Sequence, residues 1–81
     1  MTKWGICDVA AAAENLMLAA TDRGLATCWL GIMDFEGIRK KFNLPERVET
    51  ICLVTLGYPK EEIKKRAERK KIGELVHWGK W

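Results

Sequence analysis

The feature that most constrains this chain is an alanine-rich helix whose surface is apolar on nearly every side. The sequence predicts this helix from Asp8 to about Arg23, because Ala, Leu and Met favour helices and a carboxylate can cap the first free N–H groups. Gly24 is expected to end it in the left-handed region. Only a narrow strip is polar, formed by Glu14, Asn15, Thr21 and Asp22. Leu18 lies within that strip, so the helix needs cover on most of its surface.

Two short segments are predicted as strands, at residues 25–30 and 48–56. The first, and the later half of the second, are apolar on both pleat faces, which is typical of strands covered on both sides. Between them Asp34 is predicted to cap a short helix, and Pro45 to stop it. The apolar residues of this helix share one face: Phe35, Ile38 and Phe42.

The positive charge of the chain is concentrated in residues 60–71, which hold seven basic and three acidic residues. The segment is predicted to be a frayed helix or an extended arm, and three interpretations of its charge stay open. The basic residues are either a solvated charge run, or a group that binds phosphate, or a surface that binds nucleic acid. The last is favoured least, because acidic residues are mixed in and the aromatic residues flank the segment rather than interleave with it. The tail at residues 72–81 is short, apolar and broken by glycines.

The order of helix, strand, helix, strand and arm predicts one α+β domain over residues 1–81. A two-stranded sheet is marginal by itself, and a chain this short buries proportionately little surface. Yet 48% of the residues are hydrophobic and four are tryptophan. We therefore expect the chain to complete its core by associating with itself or with something larger.

Several classes of site and segment are not supported by the sequence. Cys7, Cys28 and Cys52 are odd in number and widely spaced, which favours buried reduced thiols in a cytosolic protein over a disulfide framework or a zinc site. His77 is the one histidine and is expected to be a packed or surface imidazole. There is no nucleophile–base pair and no glycine-rich nucleotide motif. Polar residues interrupt the apolar stretches, so neither a signal peptide nor a membrane span is expected.

Four stretches, in this order, resemble the C-terminal half of the nitroreductase family. They are AAENLMLAATDRGLATCWLG within residues 8–31, FNLPE at 42–46, LGYP at 56–59 and RKKIGELVHW at 69–78. The resemblance implies a flavin oxidoreductase built as an intertwined homodimer with FMN at the dimer interface. Such a protein takes a hydride from NAD(P)H and passes electrons to nitroaromatics, quinones or other acceptors. The chemistry belongs to the cofactor, so no catalytic side chain is expected.

The resemblance also implies which residues bind the cofactor. Those expected beside the flavin ring are Leu30, Gly31 and Ile32. Those expected at the FMN phosphate are Arg69, Lys70 and Lys71, although the family usually has a proline where Lys71 stands. The family's Arg-Ser-x-Arg segment also binds the phosphate. It belongs to the N-terminal half of the family, which residues 1–81 do not resemble. The alternative hypothesis is therefore a non-catalytic, self-associating remnant without flavin. Neither hypothesis involves nucleic acid or a membrane.

Overall fold

The computed structural model describes residues 2–62 and 66–81. Its elements are, in chain order, α1 (Lys3–Asp22), β1 (Ala26–Leu30), α2 (Phe35–Lys41), β2 (Leu53–Gly57) and α3 (Ile72–Leu75). The predicted α+β order of helix, strand, helix and strand is confirmed. The sequence did not predict α3, a single turn within the glycine-broken tail.

Helix α1 begins at Lys3, so the prediction that Asp8 caps its start is wrong. The hydroxyl of Thr2 takes that role, since its Oγ1 accepts a hydrogen bond from the Gly5 N–H at 3.1 Å. Asp8 therefore lies inside the helix. The other end is as predicted, because Gly24 follows the last turn with a φ of 74°. Glycine adopts this left-handed conformation without steric cost.

Helix α2 confirms the predicted cap, which lies against the glycine at the third residue of the helix. The carboxylate of Asp34 accepts a hydrogen bond from the Gly37 N–H at 3.0 Å. A Cβ at position 37 would clash with that same carboxylate. Gly37 lowers the intrinsic helix propensity, but it leaves room for the cap. The helix ends before Asn43, which has a φ of 53°, and Pro45 follows as predicted.

Strands β1 and β2 form an antiparallel two-stranded sheet in which Ala26 lies opposite Gly57 and Leu30 opposite Leu53. The second strand is shorter than the predicted 48–56 and is displaced towards its C-terminal end. The pairing provides a physical reason, because Leu53 lies opposite Leu30, the last residue of β1. The guanidinium of Arg39 holds two backbone carbonyls of the loop that precedes the strand.

The single chain leaves most of its apolar surface uncovered. Among the described residues only Ala13 and Ala20 of α1 are buried. The prediction that both strands are covered on both faces is wrong for the chain by itself, since Cys28, Trp29 and Leu56 are exposed. The radius of gyration is 16.9 Å, whereas a compact domain of this length would have about 12 Å. The fold alone therefore lacks a closed core.

The described residues of the basic segment and the tail lie on the surface. Residues 60–62 and 66–71 form neither helix nor strand, which argues against a frayed helix there. The part of that prediction that concerns residues 63–65 lies outside the described residues. His77 is an exposed imidazole, as predicted, and its ring stacks on Trp81 with the ring centroids 4.2 Å apart. Within the described part of the chain, no helix is both long enough and apolar enough to cross a membrane.

Candidate functional site

The three residues expected beside a flavin ring lie together at the end of β1. Leu30 is the last residue of the strand, is half-buried and pairs with Leu53 on β2. Gly31 and Ile32 follow in the connection to α2, and the side chain of Ile32 is fully exposed. The structure therefore presents this segment as open surface supported by the sheet, with Gly31 at its centre.

No backbone conformation or close contact among the described residues requires a glycine at position 31. Its backbone is not in the left-handed region that favours glycine. A Cβ built on it would lie 3.6 Å from Nε1 and 3.9 Å from Cδ1 of Trp29, both ordinary van der Waals distances. The missing side chain instead leaves the backbone bare on its outer side. This arrangement fits a planar group that approaches the backbone closely, as the resemblance requires of the flavin ring.

The basic residues expected at the phosphate are exposed but are not organised around an anion. Arg69 donates from Nη1 to the carbonyl oxygen of Ala67 at 3.0 Å. Lys71 precedes α3, and its carbonyl oxygen accepts from the Glu74 N–H at 3.0 Å. Over residues 2–62 and 66–81, no hydrogen bond or ion pair joins Arg69, Lys70 or Lys71 to the segment at Leu30–Ile32. The structure thus places Leu30, Gly31 and Ile32 at one strand end and does not join the basic residues to them.

The surface depressions of the sheet lie away from the segment around Gly31. An open one of about 350 Å³ covers the opposite end of the sheet, around Ala26, Cys28 and Tyr58. Another, of about 290 Å³, lies between the end of α1 and Pro59. Neither is lined by the predicted ring-side residues. The candidate site is therefore a bare strand end and not a formed cavity.

Arg39 has a structural role that the sequence did not reveal. It lies in the last turn of α2, where a positive charge complements the helix dipole. In the structure Nη1 donates to the carbonyl oxygen of Pro45 and Nη2 to that of Val48, each at 2.6 Å. Glu36 lies 3.8 Å from its Nε. Arg39 thereby fixes the loop that leads into β2, the strand that pairs with β1.

The cysteines differ from the expectation in burial. Cys7 and Cys28 are exposed and Cys52 is half-buried, so the prediction of buried thiols is wrong for the first two. All three are free. The cause is the same lack of cover that leaves the helix and the sheet open, because Cys7 lies on α1 and Cys28 on β1.

Comparison with known proteins identifies the family. The model of the nitroreductase family matches residues 1–58. A protein of Archaeoglobus fulgidus named as an NADH dehydrogenase/NAD(P)H nitroreductase is 39% identical over 68% of this chain and 34% of its own length. One of the same name from Methanothermobacter thermautotrophicus is 40% identical over 67% of this chain and 30% of its own. The NAD(P)H nitroreductase MhqN of Bacillus subtilis is 30% identical over 82% of this chain and 32% of its own length.

The chain belongs to the nitroreductase family. It spans about a third of the length of the curated relatives it matches. The family match includes the ring-side segment at Leu30–Ile32 and ends before Arg69, Lys70 and Lys71. The sequence resemblance and the comparison thus agree on the family, and the roles of all six residues stay predictions.

Proposed function

We propose that this chain is part of an FMN-dependent oxidoreductase that uses NAD(P)H to reduce nitroaromatics, quinones or similar acceptors. Membership of the nitroreductase family supports this. The names of relatives point the same way, including a Cr(VI) reductase of Pseudomonas that is 35% identical over 76% of this chain and 27% of its own length. The observation that carries the proposal is the bare backbone at Gly31, at the end of a strand that lies within the family match.

The residues of this chain would hold the cofactor and not react. Leu30, Gly31 and Ile32 offer backbone groups and an apolar edge to the ring, while Arg69 and its neighbouring lysines offer positive charge to the phosphate. Bound FMN would supply the chemistry, accepting a hydride from NAD(P)H and passing electrons to the acceptor. Because the two groups are not joined in the single chain, the complete FMN site needs further protein surface.

We propose that a second copy of the chain supplies part of that surface. The accessible area is 7841 Å², whereas a folded monomer of this mass would expose about 4,900 Å². The excess of nearly 3,000 Å² far exceeds the roughly 800 Å² that each partner buries in a standard stable interface. Helix α1 also carries exposed apolar residues, including Trp4 and Leu18 at 72% and 60% exposure, that a partner would cover. A cytoplasmic location belongs to the same proposal, since the three thiols are free.

The test is reduction of bound flavin in the purified protein. The protein is reconstituted with FMN, freed of unbound cofactor, and mixed anaerobically with NADH or NADPH. The proposal predicts loss of the visible flavin absorbance with at least one of the two, and its return when a quinone or nitroaromatic is added. The alternative of a self-associating remnant without flavin rests on the same uncovered area. It predicts an oligomer by light scattering that retains no FMN, and that result would contradict the proposed function.

A further inference from the structure

The side chain of Trp29 borders the segment at which the flavin ring is proposed to lie. Gly31 directly follows β1, and the side chain of Trp29, two residues earlier, lies on the side of the chain where a Gly31 Cβ would be. Residue 31 has no side chain, and the indole lies beside it. Nε1 and Cδ1 of Trp29 are 3.6 and 3.9 Å from the position that a Gly31 Cβ would occupy. These are atoms of the indole edge, so the edge and not the face of the ring is nearest to Gly31.

The indole N–H of Trp29 is an available hydrogen-bond donor. No acceptor for it occurs within residues 2–62 and 66–81, and the side chain is 38% exposed. Tryptophan N–H groups that become buried usually find a partner. A ligand that covers Gly31 would bury this edge, so it would have to offer an acceptor or leave the donor unsatisfied at a cost in free energy.

The position of Trp29 is also fixed by the fold. Its strand pairing places it opposite Val54 on β2, with a further pair, Leu30 and Leu53, between it and the end of the sheet. A tryptophan has two side-chain torsions, so it supplies a rigid contact with little loss of conformational entropy. The donor is therefore presented at a defined place beside the bare backbone.

We propose that Trp29 is a positioning residue of the cofactor site, with its indole edge against the bound flavin and its Nε1–H donating a hydrogen bond to an acceptor atom of the flavin ring. This inference rests on the proposed function, because it requires FMN at Gly31. It goes further in assigning a side chain that sets where the ring lies. Such a contact orients the cofactor and takes no part in electron transfer.

The experiment compares FMN binding by the wild-type protein, Trp29→Phe and Trp78→Phe. Phenylalanine keeps an aromatic ring on β1 and removes the N–H. The dissociation constant, from titration of flavin fluorescence, should rise about 2- to 10-fold for Trp29→Phe, because a neutral hydrogen bond contributes about 0.5–1.5 kcal/mol. Trp78 is 92% exposed and makes no such approach to Gly31. Its variant is expected to bind FMN as the wild type does.

A second measurement separates a direct contact from a structural role. In protein labelled with 5-fluorotryptophan, the ¹⁹F resonance that is missing from Trp29→Phe belongs to Trp29, and it should shift on addition of FMN. If Trp29→Phe fails to fold, the resonance can be assigned with Trp29→Tyr instead. If the wild type binds FMN without a shift of the Trp29 resonance, and Trp29→Phe binds FMN as tightly as the wild type, this inference is overturned and the proposed function is not. A wild-type protein that does not bind FMN would overturn it together with the proposed function.

Discussion

Replacing Gly31 by alanine tests whether the bare backbone at the end of β1 is a ligand surface. In the protein alone the new Cβ would make only van der Waals contacts with Trp29, at 3.6 and 3.9 Å. The free energy of unfolding should therefore change by less than about 0.5 kcal/mol, as for most exposed substitutions. A flavin ring packed on this backbone would instead meet an added methyl group. Overpacking of this kind costs about 1–3 kcal/mol, which corresponds to a rise in the dissociation constant of about 5- to 150-fold.

The assay is a titration of FMN fluorescence, with urea denaturation at the same protein concentration to check the fold. Gly57→Ala is the matched control, because a Cβ there meets nothing within 4 Å and Gly57 lies at the opposite end of the sheet. It should leave FMN affinity unchanged. If Gly31→Ala binds FMN as tightly as the wild type does, the ring does not pack on this backbone. If the substitution unfolds the protein, the glycine serves the fold.

Three further substitutions test the caps, the loop and the interface. Thr2→Ala should lower the free energy of unfolding by about 1 kcal/mol in urea, because it removes the helix cap, and an equal loss in Asp8→Ala would contradict this assignment. Arg39→Lys removes the bidentate hydrogen bonding to the loop and should lower the free energy of unfolding by about 1.5–3 kcal/mol, measured by thermal unfolding. Lys40→Arg is the control and should leave that free energy unchanged. Leu18→Glu places a charge on a side chain that the partner is proposed to bury. Because a two-fold interface contains the substitution twice, the free energy of dimerisation should weaken by about 2 kcal/mol or more. Sedimentation equilibrium should then give a dimer dissociation constant raised at least ~30-fold. An unchanged dissociation constant would exclude Leu18 from the interface.

The local features of the fold could be predicted where the signal is contained in a few neighbouring residues. The Asp34 cap and the glycine that ends α1 depend on one side chain and the adjacent backbone, and both predictions are confirmed. The start of α1 was missed because Asp8 was predicted as the cap, whereas the hydroxyl of Thr2 caps the helix. The start of β2 was missed for a different reason. The first residue of β2 lies opposite Leu30, where β1 ends, and β-propensity contains no information about the length of the partner strand.

Burial could not be predicted from the apolar pattern of a single chain. The pattern of β1 and β2 indicates cover on both faces, but Trp29 and Leu56 are exposed in the single chain. The same limit applies to the candidate site. The ring-side segment was predicted from the family resemblance and stays a prediction, whereas the approach of Trp29 to Gly31 appears only in three dimensions.

The most direct test of the account is co-elution of FMN with the protein in gel filtration, monitored by visible absorbance and light scattering together. The protein is incubated with excess FMN, and the eluted peak is examined for bound flavin and for molar mass. The account predicts flavin absorbance in a peak with the mass of a dimer. A colourless peak after incubation with FMN would contradict its central claim, whatever the mass of the species that elutes.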